Sequence, residues 1–394
     1  MVEQYLQQDQ VMLCGIEAAK GTEEALTPAA NAIKVGGPPA WRPGFDIDNA
    51  EDEVTGSLDP GDPTVLAGNA SMTFTVRAKG SGAAGTAPEG GVLHRATGFA
   101  ESVLGASENG TAQAGAANTI TLAVAASAVD DFYKGMPIFL TAGPGSGEDN
   151  VITAYDGTTK VATVARPWTV QPTLATDYDI PANVIYRPGS ADLETVTAFL
   201  YQNANEAAVN SVLRKLVGAM GNATFDIGPR QIPQWSYTLT GLFPESPSDV
   251  ARPAGVVYDA VNAPPFVNAD AWLGGVPFRL NTLSFDLGNT IAQPDDPAAT
   301  FGRDVASITR RLTTGSFTSY RRLIANRNPI ADLIAGTKQT LVLKWGQVAG
   351  NRISVLFPAI TYTGADEQGV EGYSGEQIPF RATGADDGLW LCYH

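Results

Sequence analysis

The chain has 394 residues, 44% of them hydrophobic, enough for a buried core and two or three domains, which excludes a polar disordered polymer. Forty-two glycines and 26 prolines make it rich in turns without the bias of a low-complexity chain. Lysine and arginine number 25 against 41 acidic residues, a formal net charge of −16, so coating DNA phosphates, which takes cations to displace counterions, is excluded as a simple role.

The first ten residues, MVEQYLQQDQ, are polar and acidic, so no secretory signal is expected. Phe45–Gly68 is acidic and turn-rich, too long for an ordinary connection, and reads as a functional or assembly loop. Ser71–Lys79 alternates: Met72, Phe74 and Val76 point one way, Thr73, Thr75 and Arg77 the other, the pattern of a half-buried strand. Glu89–Thr97 carries Val92, Leu93 and Ala96 ahead of Gly98, a helix with a glycine stop.

Residues 116–182 have a hairpin grammar of their own. Strands are expected over Thr119–Ala125, Val151–Tyr155 and Lys160–Ala165, with Asp156-Gly157 as the turn between the last two. Small-residue stretches flank this segment, Gly105–Ala117 before it and Pro181–Asn183 after it. It reads as a small β-domain inserted into a host formed by residues 1–115 and 183–394.

In the second part of the host, Thr195–Tyr201 alternates as a strand. Ala207–Ala219 sets Val209, Val212, Leu213, Leu216 and Val217 on one stripe before Gly221, which predicts a helix. Trp235–Thr240, Arg279–Asp286, Thr340–Trp345, Ile353–Phe357 and Ile378–Thr383 are strands, and Ile330–Ala335 a short third helix. The expected class is mainly β with one or two flanking helices.

Cys14 and Cys392 provide neither a disulfide scaffold nor a four-ligand zinc site, and are expected as free thiols in a reducing compartment. No apolar run approaches the roughly 18 residues of a membrane span, so a soluble protein made in a cytoplasm, with no membrane insertion, is expected.

Catalytic chemistry is hard to assemble from these residues. The histidines are His94, on the predicted helix and expected half-buried, and His394, the last residue; no G-x-S-x-G elbow accompanies them. Asp46, Asp48, Glu51, Asp52 and Glu53 superficially resemble a calcium loop. The sixth position is Glu51 where glycine is needed, and the twelfth is Ser57 where glutamate is needed. Gly143–Gly147 (GPGSG) lacks the Gly-Lys-Ser/Thr and the helix of a phosphate cradle and reads as a hairpin tip. The pairs Asp295–Asp296 and Asp386–Asp387 are expected as solvated turns, not glycosidase carboxylates. Arg310, Arg311, Arg321 and Arg322 form a basic cluster suited to salt bridges with an acidic neighbouring subunit. No catalytic residue, cofactor or metal site is expected, so the chain does not read as an enzyme.

Several stretches carry a resemblance, in order along the host. Gly15-Ile16-Glu17 with Thr27-Pro28 and Ala32–Val35 comes first. Ala70–Lys79 and then Gly91–Phe99 (GVLHRATGF) follow, then Trp235–Gly241 (WSYTLTG) with Leu242-Phe243. Phe285–Asn289 (FDLGN), Ile308–Arg311 (ITRR) and Thr314-Gly315-Ser316 complete the series. Together they resemble the tail tube (major tail) proteins of long-tailed bacteriophages. Within the insert, Asp131–Met136 (DFYKGM), Gly143–Gly147, Ile152–Tyr155 and Val161–Trp168 resemble a small β-module that recurs in phage virion proteins.

The resemblance implies a β-sandwich- or barrel-like tail tube fold and a structural virion protein. Its subunits form hexameric rings that stack head to tail into the tube that delivers DNA. Assembly takes place in the host bacterial cytoplasm. The partners implied are the chain itself, a tape measure protein, and tail terminator or tail-tip proteins, with DNA as a passing cargo that does not stick. Phe45, Asp46, Asp48, Glu51, Asp52, Glu53, Asp59 and Asp62 are the expected ring-stacking loop, and Glu194, Asp226 and Asp286 the expected channel-facing acids. The insert is expected as an outward decoration. Two alternatives stay open: another virion component, such as a capsid decoration or tail-tip protein, and an acidic carbohydrate-binding protein.

Overall fold

A computed structural model describes the chain except residues 1–3, 52, 53, 55, 57, 60, 207, 208 and 300. It begins with β1 (Tyr5–Ile16), α1 (Pro28–Asn31), β2 (Ala32–Ile33), β3 (Ala40–Asp48), β4 (Thr64–Arg77), α2 (Gly91–Ala96) and β5 (Phe99–Leu104). Then come β6 (Glu108–Thr111), β7 (Ala114–Ala116), β8 (Thr119–Thr121), β9 (Pro137–Ala142), β10 (Asp149–Asp156), β11 (Val161–Val164) and β12 (Asp177–Ile180). The chain continues with β13 (Asn183–Pro188), β14 (Val196–Ala204), β15 (Ser211–Ile227), β16 (Gln234–Leu242), β17 (Ser248–Val250), β18 (Asp270–Leu273) and β19 (Val276–Pro277). β20 (Leu280–Asp286), β21 (Asn289–Ala292), β22 (Ser307–Arg311) and β23 (Thr314–Tyr320) precede α3 (Pro329–Ala335). The last elements are β24 (Gln339–Trp345), β25 (Ile353–Tyr362), β26 (Asp366–Val370), β27 (Tyr373–Ala382) and β28 (Trp390–Tyr393). The fold is mainly β, sandwich-like, with few and short helices.

The main antiparallel layer runs β3-β4-β16-β15-β20-β23-β27-β25. From β25 it continues through β28 and β13 to β5, and through β24 to β18. A second layer is β2-β1-β14-β15-β17. Met12, Cys14, Val196, Ala198 and Leu200 of this second layer share one core with Phe74, Tyr237, Phe225, Phe285 and Phe357 of the first. Period-two alternation is what makes this possible, since each strand keeps one apolar row for the core.

β15 belongs to both layers. Its N-terminal half pairs with β14 and β17, its C-terminal half with β16 and β20. The expected helix over Ala207–Ala219 is therefore corrected: its described part beyond residue 210 is strand. The cause is burial on both faces: the pairing with β14 is regular over Val212–Leu216, where Leu213 packs with Phe199 while Leu216 enters the main core, so Val212–Leu213 and Leu216–Val217 imitate a helix stripe. A bulge follows at Gly218, which has φ +60° and sits where the register slips against both β14 and β16. The other two helices stand as read. α2 ends before Gly98 (φ +86°). α3 is capped by Asn328, whose Oδ1 accepts from the Ala331 amide, and stops at left-handed Gly336.

The insert forms its own sheet, ordered β6-β12-β9-β10-β11-β8-β7. It begins at Glu108, earlier than the expected boundary at 116, because β6 pairs with β12 and β7 with β8. The hairpin at Asp156-Gly157 is present, but Lys160 adopts the positive φ, and Asp156 Oδ1 accepts from the Thr158 and Thr159 amides. Gly157 is needed for another reason: a Cβ there would lie 2.4 Å from the Ala128 backbone. The insert core merges with host residues Ile185, Trp272, Val342, Leu356 and Trp390, so the insert is packed onto the host. Arg166 of the insert and Lys344 of the host both lie over the Trp272 ring, at 4.1 and 4.2 Å from its centre, and both contact Asp149.

Candidate functional site

The residues with chemical potential are turned inward. His94, expected half-buried, is 1% exposed and ringed by Phe99, Tyr186, Trp235, Tyr237 and Tyr393. Its Nε2 lies 2.8 Å from the Tyr393 hydroxyl and its Nδ1 3.1 Å from that of Tyr237, and burial pushes its pKa down to about 3. His394 is likewise buried and lowered to about 3, by desolvation and then by Arg352 and Lys344. Burial raises the Cys14 thiol to about 12 and drives that of Cys392 well up; both are free. Among the described residues no group of three or more histidines, cysteines and acids could hold a metal ion. No helix there is long and apolar enough to cross a membrane.

The acid pairs are engaged separately. Arg303 Nη1 is 3.8 Å from Asp295, while Asp386 accepts from Ser190 and Asp387 from Lys134. Gly143–Gly147 is the β9–β10 turn, with Gly143 packed against the Ala175 backbone. Of the expected channel acids, Glu194 is clasped by Arg95 through two hydrogen bonds of 2.5 and 2.6 Å. Asp286 accepts from Asn222 and the Gly288 amide, and Asp226 is exposed.

Asp226 and Asp286 share a surface that the sequence reading did not single out. Across β4, β16, β15, β20, β23 and β27 half of the residues in two neighbouring outward rows are serine or threonine. One row of cross-strand partners is Thr75, Ser236, Thr224, Asp286, Thr314 and Arg381. The next is Arg77, Gln234, Asp226, Ser284, Ser316 and Pro379. Alternating Ser/Thr in adjacent β-branched strands was the available signal, visible only once the register aligned the rows.

The two ends of the expected stacking loop are strand, not loop. Phe45–Asp48 lies in β3 and Thr64–Gly68 in β4, paired from Phe45↔Gly68 to Asp48↔Thr64. The β4 pairing with β16 ends at Ala70, so the β3–β4 ribbon continues beyond the sheet for about six residues, roughly 20 Å. Its root is fastened: Phe45 meets Phe243 edge-on at 5.6 Å, the Gly68 amide donates to Phe301, and Arg303 holds Asp46 at 2.5 Å. Its outer part exposes Ile47, Val65 and Leu66 beside Asp48, Glu51, Asp59 and Asp62. Asp52 and Glu53 lie outside the described residues.

The four arginines divide. Arg311 is spent inside the chain, donating to the Gly98 and Gly189 carbonyls and to Asn289 Oδ1, and desolvation lowers its pKa. It is thus corrected as a candidate for an inter-subunit bridge. Arg321 reaches Glu367 of the same chain at 2.7 Å. Arg310 and Arg322 are exposed and make no ion pair among the described residues.

Compared with known proteins, the chain matches no protein-family model and no curated protein.

Proposed function

We propose that this chain is a structural virion protein, the subunit of stacked, six-membered rings that form the tail tube of a long-tailed bacteriophage. The observation that carries the reading is the β3–β4 arm together with its open border. β3 pairs with β4 and with no other strand among the described residues, leaving one backbone edge of Ala40–Asp48 open to a neighbour. An open edge of this length is a pairing hazard for a lone molecule, and Pro43 removes only one donor from it. In a ring the same edge is a joining surface, because a neighbouring sheet satisfies its amides and carbonyls.

The hydroxyl-lined face supports the same reading. The two rows hold six serines and threonines, and their two aspartates are matched by two arginines, so on a chain of charge −16 the wall offers passing DNA few cations to adhere to. Such a wall needs neither cofactor nor metal, and the chain in this role is not an enzyme. The tape measure protein fills the tube before DNA does, and tail terminator or tail-tip proteins close its ends. The assembled protein then resides in the virion, built in the bacterial cytoplasm.

Negative-stain microscopy of the concentrated, purified chain tests the proposal. Rings or tubes with a central channel are expected. A strictly monomeric, featureless sample at every concentration would overturn it.

A further inference from the structure

The main sheet has two chemically different ends, and the register tells them apart. β4 begins in the arm at Thr64, joins the sheet at Ala70 and reaches the far end at Arg77, opposite Gln234. There Gln234 pairs with Asp226, and the next residue, Ile227, with Leu283. Leu280 and its partner Ser319 therefore lie at the end away from the arm. Just beyond them Arg279, Arg321 and Arg322 line a cleft of about 470 Å³ with Phe278 and Tyr320. A second cleft of about 540 Å³ shares Phe278 and Arg322 with it and adds Ile324, Arg327 and Lys338.

The acids bordering this groove are already engaged, including Asp332, which lines the second cleft and accepts from Gln339 Nε2 at 2.7 Å. Glu367 holds Arg321 at 2.7 Å, Glu376 lies 3.6 Å from Arg327, and Glu371 accepts from the Tyr320 hydroxyl. Arg279 and Arg322 are exposed and carry no ion pair among the described residues. Leu323 and Ile324 beside them are 74% and 55% exposed. In a chain with 25 cations against 41 acids, a cationic groove rimmed by bare apolar side chains fits a particular kind of partner: acidic and apolar at once. The outer arm is such a surface, with Ile47 and Val65 paired across the ribbon beside Asp48 and Asp62.

We propose that the arginine groove receives the β3–β4 arm of a second copy of this chain. Asp48 and Asp62 of the arm meet Arg279 and Arg322, while Ile47 and Val65 pack against Phe278 and Ile324. The proposal rests on the tube reading and adds to it the receiving surface. Arm and groove lie at opposite ends of one sheet, so the contact is head to tail: every docked copy leaves a free arm at one end and a free groove at the other, the geometry of an open filament. Acid against arginine also sets polarity, because arm-to-arm and groove-to-groove contacts bring like charges together.

The test uses two variants of the full chain, Asp48→Cys and Arg322→Cys, mixed under assembly conditions with a short flexible bismaleimide. Both positions are exposed, and the native Cys14 and Cys392 are buried. Cross-linked dimers are expected in the mixture and not in either variant alone. R279E/R322E is expected to raise the concentration needed for tubes about tenfold or more, with recovery when it is mixed with D48K/D62K. Rings or tubes without the cross-link would overturn the groove and leave the tube reading standing. Cross-links without rings or tubes would keep the groove and remove the tube. Absence of both removes both.

Discussion

Glu17 Oε1 accepts a 2.6 Å hydrogen bond from the amide of Gly218, the residue at which β15 bends from one layer into the other. The same carboxylate accepts from the Gly21 amide at 2.8 Å and from the Thr195 and Thr197 hydroxyls at 2.6 and 2.9 Å. It is 7% exposed and has no cation beside it among the described residues, so four fixed dipoles replace its hydration. The bend that joins the two layers is held by this anion.

Glu17→Gln therefore sets an amide donor against the backbone N–H of either Gly21 or Gly218, which can only donate. The expected loss is about 3 kcal/mol, the cost of breaking buried hydrogen bonds to a charge and leaving their partners unsatisfied. Urea unfolding monitored by tryptophan fluorescence measures it. A variant as stable as the parent would show that the bend holds without the carboxylate.

His94 gives a pH prediction with a definite sign. Its folded pKa is about 3 against an ordinary 6.5, so below pH 6.5 the unfolded chain binds a proton that the folded chain refuses. Stability is complete above pH 6.5 and falls as pH drops toward 3, by up to about 1.4 kcal/mol per pH unit for this group. His394 acts in the same direction over the same window. His94→Gln keeps a donor and an acceptor for Tyr237 and Tyr393 but cannot titrate. Between pH 6.5 and 4.5 its unfolding free energy is expected to depend on pH less steeply than that of the parent, by about one proton. Equal slopes would mean that His94 remains protonated in the fold.

The insert is held by Trp272 and the two cations over its ring. Trp272→Ala is expected to cost about 3–5 kcal/mol through the cavity and the lost cation contacts. Hydrogen exchange should accelerate first in β10 and β11, which carry Asp149 and adjoin Arg166. Uniform acceleration across the whole chain would place the docking contact on the global unfolding route instead.

Local pattern was enough wherever one face of a strand meets the core and the other meets water. That is why Ser71–Lys79, Trp235–Thr240 and Ile378–Thr383 could be read directly, as could the short helix at Ile330–Ala335. The same is true of the acid excess and of the lack of a long apolar run, which are read from the sequence directly. Tertiary structure decided the rest. β15 is buried on both faces around a bulge, so its pattern is written by neighbours far away in sequence, and no window of local residues contains them. The arm, the hydroxyl rows and the arginine groove exist only through register: Arg279 and Arg322 come to one end of the sheet, and Asp48 to the other, because antiparallel pairing fixes direction across strands that the chain order leaves unrelated.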